Sequence, residues 1–116
     1  MRIMTNQEFY DNHLLLLGNN DVNELVEHDY HDDAEMILLV AEEPIYIKGK
    51  AALKIQLGDY LANIYRGFVS TQKLAITEDS IHLEATIMTA WGESKVYDAL
   101  YLREGKIFRH YSGLKG

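Results

Sequence analysis

The chain contains no cysteine, which excludes disulfides, thiolate metal sites and a cysteine nucleophile. Basic residues are scarce: 11 Lys and Arg stand against 18 Asp and Glu, for a formal net charge of -7. A surface of that sign repels phosphate backbones and anionic membranes, so neither nucleic acid nor a membrane is expected as a partner. Long apolar runs are missing as well. Leu14 to Leu17 is too short for the core of a signal peptide, and Glu8 and Asp11 interrupt the pattern behind the basic start of the chain. No run approaches the length of a membrane span, and the expected setting is the cytoplasm. Proline occurs once, at Pro44.

What is present is ordinary for a folded protein: 116 residues, 47% hydrophobic and 25% charged. That length supports one domain over residues 1–116 with one substantial core. Thr5-Asn6-Gln7-Glu8 has the form of a capping box. The helix it opens places Phe9, His13, Leu16 and Leu17 on one stripe and ends at Gly18. Asn19-Asn20-Asp21 caps a short second helix marked by Val22, Leu25 and Val26. MILLV (36–40) and IYI (45–47) read as two short strands, the first of them buried. Residues 50–65 have helical spacing, although Gly58 costs about 1 kcal/mol relative to alanine. Strands are predicted over 68–77, 81–91, 95–103 and 106–112. Helices segregated from a mostly antiparallel sheet make an α+β domain. A curved sheet wrapped around the three helices leaves a cavity at one end.

The stretch VYDALYLREGKIFRHY (96–111) alternates, turns at Glu104-Gly105 and alternates back, yet Asp98 falls in line with Val96, Leu100 and Leu102. A two-residue type I′ turn requires positive φ at Glu104, which glutamate tolerates poorly. The expectation is therefore a three-residue loop, with a type I turn over Arg103-Glu104 and Gly105 left-handed. That register pairs Leu102 with Lys106, Leu100 with Phe108, and Asp98 with His110. A slip of one residue sets Asp98 against Tyr111 and Arg109 instead. In the first register Val96, Asp98, Leu100, Leu102, Phe108 and His110 share one face, an apolar wall with a polar focus. The other face carries Tyr97, Ala99, Tyr101, Ile107, Arg109 and Tyr111. Its tyrosines and arginine suit a homodimer surface, or reflect only that tyrosine forms strands well.

Asp98 with His110 is a candidate acid/base pair, a carboxylate orienting an imidazole, or a purely structural hydrogen bond. His13, reaching in from the first helix, either polarises a carbonyl oxygen or merely completes the helix stripe. The cluster His28, Asp29, His31, Asp32 and Asp33 has zinc-type ligands, but it is read as capping and solvating a helix-to-strand junction. No metal and no cofactor is expected. The loop at 92–94 leaves open which side of the preceding strand faces inward, and with it the place of Glu84, Met88 and Trp91.

NNDVNELVEHDYHDDAEM (19–36), GKAALKIQL (49–57) and YDALYLREGKIFRHY (97–111) together resemble the nuclear transport factor 2-like superfamily. They are close in pattern to the ketosteroid isomerases and SnoaL-like polyketide cyclases. The resemblance runs in order over essentially the whole chain. It implies a curved sheet around helices, a cone-shaped pocket, and dimerisation through the outer face of the sheet, here the face of Tyr97, Tyr101 and Tyr111. Matched to the isomerases, His13 takes the place of the oxyanion-binding tyrosine and Asp98 that of the hydrogen-bond-donating aspartate, while His110 falls on an apolar pocket position. The general-base position holds Leu38, so classical steroid isomerisation is not expected. The cyclases' acid/base aspartate lies on the last strand, where Arg109-His110-Tyr111-Ser112 offers no carboxylate. Tyr30, Leu38, Leu57, Met88, Leu100 and Phe108 are the expected ligand-binding wall.

The resulting expectation is a pocket for a small apolar organic ligand. It serves a cofactor-independent isomerase, cyclase or hydratase/lyase centred on Asp98, His110 and His13. The alternative is a non-catalytic ligand-binding or dimeric assembly module. Protein transport, as in the superfamily's namesake, has no specific support among these residues.

Overall fold

The computed structural model describes residues 4–115; the basic start of the chain at 1–3 lies outside the described residues. Helices α1 (Asn6–Gly18) and α2 (Val22–Asp29) precede strands β1 (Tyr30–Leu39) and β2 (Ile45–Lys48). Helix α3 (Lys50–Asn63) leads into β3 (Tyr65–Ile76), β4 (Ser80–Thr89), β5 (Gly92–Arg103) and β6 (Lys106–Leu114). The capping box closes at both ends: the Glu8 amide donates to Thr5 Oγ1 (3.1 Å) and the Thr5 amide to Glu8 Oε1 (2.9 Å). Asp21 caps α2 by accepting from the Glu24 amide at 3.1 Å.

The six strands form one sheet in the order β2-β1-β6-β5-β4-β3. Among the described residues only the β1–β6 pair is parallel. This is an α+β architecture with a curved, unclosed sheet. Register shifts interrupt the β3–β4 ladder at three places between Tyr65 and Lys73, and bulges of this kind bend a strand. The helices pack inside the resulting curve. Leu25, Val26, Leu53, Ile81, Leu100 and Ile107 are wholly or almost wholly buried between the two layers.

Strand β1 starts at Tyr30, six residues before the apolar run that marks it in the sequence. The polar residues that hide its start occupy an irregular stretch: Tyr30 pairs with Ile107, and regular pairing resumes only at Glu35 with Arg109. Asp32 and Asp33 there face solvent. Their side chains need no place in the core, so the usual alternation is absent.

The β5–β6 turn differs from the sequence expectation. Glu104 (φ 56°) and Gly105 (φ 75°) are both left-handed, and Arg103 pairs with Lys106, so the loop has two residues. Glu104 is held there by His31, whose Nε2 donates to its carboxylate at 2.9 Å. Leu102 then pairs with Ile107 but Tyr101 with Arg109, leaving Phe108 as an extra, bulged residue. Beyond the bulge Leu100 lies opposite His110, and Asp98 lies opposite Ser112 rather than His110. Ile107 and Phe108 exchange their expected sides. Ile107 is fully buried, whereas Phe108 packs outward against the Arg103 and Arg109 guanidiniums, 3.8 and 4.0 Å from its ring, and edge-on to His31.

Candidate functional site

Between the helices and the inner face of the sheet lies a cavity of about 410 Å³. Tyr10, His13, Leu14 and Leu17 of α1 face it from one side, and Leu57 and Tyr60 of α3 from another. The inner residues of β4, namely Leu83, Ala85 and Ile87, join Val96, Asp98 and Leu100 of β5 to form the floor. Trp91, the only tryptophan, stands at the mouth with 81% of its surface exposed. The lining is mainly apolar, and Tyr30, Asp98 and His110 form a polar corner where β1, β5 and β6 meet.

Two hydrogen-bonded chains occupy that corner. In the first, His110 Nε2 lies 2.8 Å from Asp98 Oδ1, and His110 Nδ1 lies 2.8 Å from the Tyr30 hydroxyl. A carboxylate only accepts, so Nε2–H donates to Asp98 and the ring's Nδ1 accepts from Tyr30. Tyr30 has that proton to give. Burial, reinforced by the charges of Asp98 and Asp29, holds its phenol well above the ordinary tyrosine value. Both nitrogens of His110 are therefore engaged. Asp98 Oδ2 has no hydrogen bond among the described residues.

The second chain begins on α1. His13 Nδ1 is 2.7 Å from Asp29 Oδ2, and Asp29 Oδ1 is 2.6 Å from His28 Nδ1. Asp29 is completely buried, unlike the solvated junction residue the sequence suggests. It continues the inward stripe of α2, Val22, Leu25, Val26 and Asp29, which spacing alone marks as core-facing. The rings of His13, Tyr30 and His110 follow one another at centroid separations of 6.3 and 6.0 Å, so the two chains are neighbours.

Three phenols sense Asp98. Tyr10, Tyr30 and Tyr60 are all raised above the usual tyrosine range, first by burial and further by the Asp98 charge. In Tyr10 a hydrogen bond with Thr71 works against these effects. Tyr60 makes no hydrogen bond among the described residues, and its hydroxyl is not sealed off from solvent or cavity.

His13, Tyr30, Leu38, Leu57, Asp98, Leu100 and His110 all line the cavity. Met88 and Phe108 do not. Met88 lies on the outer side of β4, where alternation places Ile87 and Thr89 inward and leaves Met88 37% exposed; Phe108 is turned out by the bulge. Glu84 also faces outward, pairing with Lys115 at 2.6 Å. Among the described residues, no group of three or more His, Asp or Glu side chains is arranged to hold a metal ion. No helix there is long and apolar enough to cross a membrane.

The sequence matches no family model and no curated protein. Solved structures resemble it closely in backbone. An NTF2-like protein of unknown function from Mesorhizobium loti superposes with a TM-score of 0.80 at 13% identity, over 95% of this chain and 90% of that one. A steroid delta-isomerase from Pseudomonas aeruginosa gives 0.74 at 18% identity, covering 100% of this chain and 84% of that one. A protein from work on de novo design of diverse pocket structures gives 0.78 at 15%, over 94% and 97%. The chain is thus an α+β protein with a pocket between helices and sheet, and its fold is that of the nuclear transport factor 2-like superfamily.

Proposed function

We propose that the cavity binds a small, mainly apolar organic molecule and that the polar corner acts on it by acid/base chemistry of the isomerase, cyclase or hydratase/lyase kind, without a cofactor. The observation that carries this reading is the Asp98–His110–Tyr30 chain at the wall of a mainly apolar cavity. An apolar enclosure strengthens each charge and dipole inside it, and Asp98 Oδ2 is left free to face a ligand. The match of Asp98 to the donating aspartate of the isomerases and the backbone likeness to a steroid delta-isomerase support the same class. Leu38, which holds the isomerase base position, lies on the cavity wall and argues against that enzyme's own mechanism.

The test is proton exchange. Small apolar ketones and enones are incubated in D2O, and their α-hydrogens are followed by NMR. Acceleration by the wild type that is lost in Asp98→Asn and His110→Ala, with folding retained, supports the reading. Large destabilisation by both substitutions, with no exchange to lose, favours a structural pair in a non-catalytic binding module.

Assembly belongs to the same proposal. Tyr97, Ala99, Tyr101 and Tyr111 lie with Leu39 and Leu74 around a shallow hollow on the outer face of the sheet, and Tyr101 is 40% exposed. This face suits a second copy of the chain. The cytoplasmic setting expected from the sequence is retained as part of this reading.

A further inference from the structure

His110 has no free nitrogen with which to take a proton from a ligand, but His13 has one. Its Nδ1 is bonded to Asp29, while Nε2 has no partner among the described residues, and the ring faces the cavity with its side chain only 8% exposed. Asp29 is an acceptor on both oxygens, so in the neutral rings His13 and His28 each present Nδ1–H to it. That fixes the lone pair of His13 on Nε2, toward the cavity. His28, with 52% of its side chain exposed, closes the arrangement from outside by occupying the second Asp29 oxygen and preventing the carboxylate from rotating away.

We propose that the proton acceptor of this site is His13, oriented by Asp29, with His28 as a positioning residue. This rests on the acid/base reading above and deepens it. The substrate class that fits is a small apolar molecule with an acidic hydrogen next to a carbonyl. The C–H bond breaks and an N–H bond forms at Nε2, while the electron pair passes into the carbonyl as an enolate. The imidazolium is balanced by the Asp29 carboxylate, and the same nitrogen returns the proton to the enolate carbon. The Tyr60 hydroxyl, which lines the same cavity without a protein partner among the described residues, is an uncommitted donor for the enolate oxygen.

The experiment uses the complete chain with 15N-labelled histidine rings and 4-nitrophenol as a small apolar acid. In the free wild type, His13 should carry its proton on Nδ1 and show an unprotonated Nε2. His13→Gln assigns the signal, and Asp29→Asn and His28→Gln should each lower the population of that tautomer. Adding 4-nitrophenol should shift the Nε2 resonance, and His13→Gln should weaken its binding about tenfold, the scale of one hydrogen bond. A protonated Nε2 at His13, in the signal that His13→Gln removes, overturns the assignment. Saturable binding that leaves Nε2 unmoved overturns it while the cavity reading stands. No saturable binding to the wild type overturns both.

Discussion

Asp98 and His110 are not cross-strand partners, yet Asp98 Oδ1 and His110 Nε2 lie 2.8 Å apart. Asp98 faces Ser112, and the imidazole reaches it diagonally from beside Leu100. Diagonal neighbours on one face of an antiparallel pair are within reach of long or aromatic side chains. His110 thereby spans the gap between a carboxylate on β5 and a phenol on β1.

His110→Ala should leave the buried Tyr30 hydroxyl without its partner and remove the donor to Asp98. A loss of about 2–4 kcal/mol is expected, in the range for breaking a buried hydrogen-bond network. Asp98→Asn preserves an acceptor and should cost about 1 kcal/mol or less. Urea denaturation of both variants checks the ordering. Equal losses would mean that Asp98 is as structural as the imidazole.

Gly113 lies opposite Tyr97, and a Cβ built on it would come 2.6 Å from the Tyr97 ring. Gly113→Ala should therefore destabilise by about 1–3 kcal/mol, the range for overpacking. The penalty should largely vanish in a Tyr97→Ser background, so a double-mutant cycle reads the clash directly.

The left-handed Glu104 is strained for a residue with a Cβ. Glu104→Asn should gain about 0.5–1 kcal/mol from the better fit to a type I′ turn, less the exposed pair with His31, which is worth at most about 1 kcal/mol. A net change between a loss of about 0.5 kcal/mol and a gain of about 1 kcal/mol in thermal melts agrees with the turn described. A larger loss would mean that the His31 contact, not the backbone, dominates.

Alkaline pH should unfold the protein earlier than its surface charge alone suggests. Tyr30 and Tyr60 keep their protons in the folded state, chiefly through burial, beyond the range where an unfolded tyrosine ionises. Their contribution is fully present below about pH 10 and is lost as pH rises toward their folded values. Each accounts for up to about 1.4 kcal/mol per pH unit over that window. Tyr60→Phe should flatten the decline in stability measured between pH 9.5 and 11.5.

The sheet-face dimer is checked by mass in solution. A dimer at micromolar concentration that dissociates in Tyr101→Lys is expected, and a monomeric wild type contradicts it.

Much of this was legible in the amino-acid order. Thr5 and Glu8 announce α1 because a capping box is local chemistry, and alternation through 81–112 announces a meander because each strand has one buried side. The hairpin register was not legible. Glutamate's aversion to positive φ is a local preference, and His31, distant in sequence, holds the residue there against it; the Phe108 bulge then restores contact between Asp98 and His110. Asp29 was hidden differently. Surrounded by His28, His31, Asp32 and Asp33 it looks like one more solvated charge, and only its helical spacing from Val22, Leu25 and Val26 betrays that it points inward.

The proposed ligand site is the cavity beneath Trp91, with its polar focus at His13, Asp98 and His110. Because Trp91 is the only tryptophan and stands at the mouth, its fluorescence reports occupancy directly. Titration with small apolar ketones should give a saturable one-to-one change that Leu57→Arg, which fills the cavity with a charge, abolishes. A linear, unsaturable response, identical in the wild type and Leu57→Arg, would rule out a ligand site in this cavity.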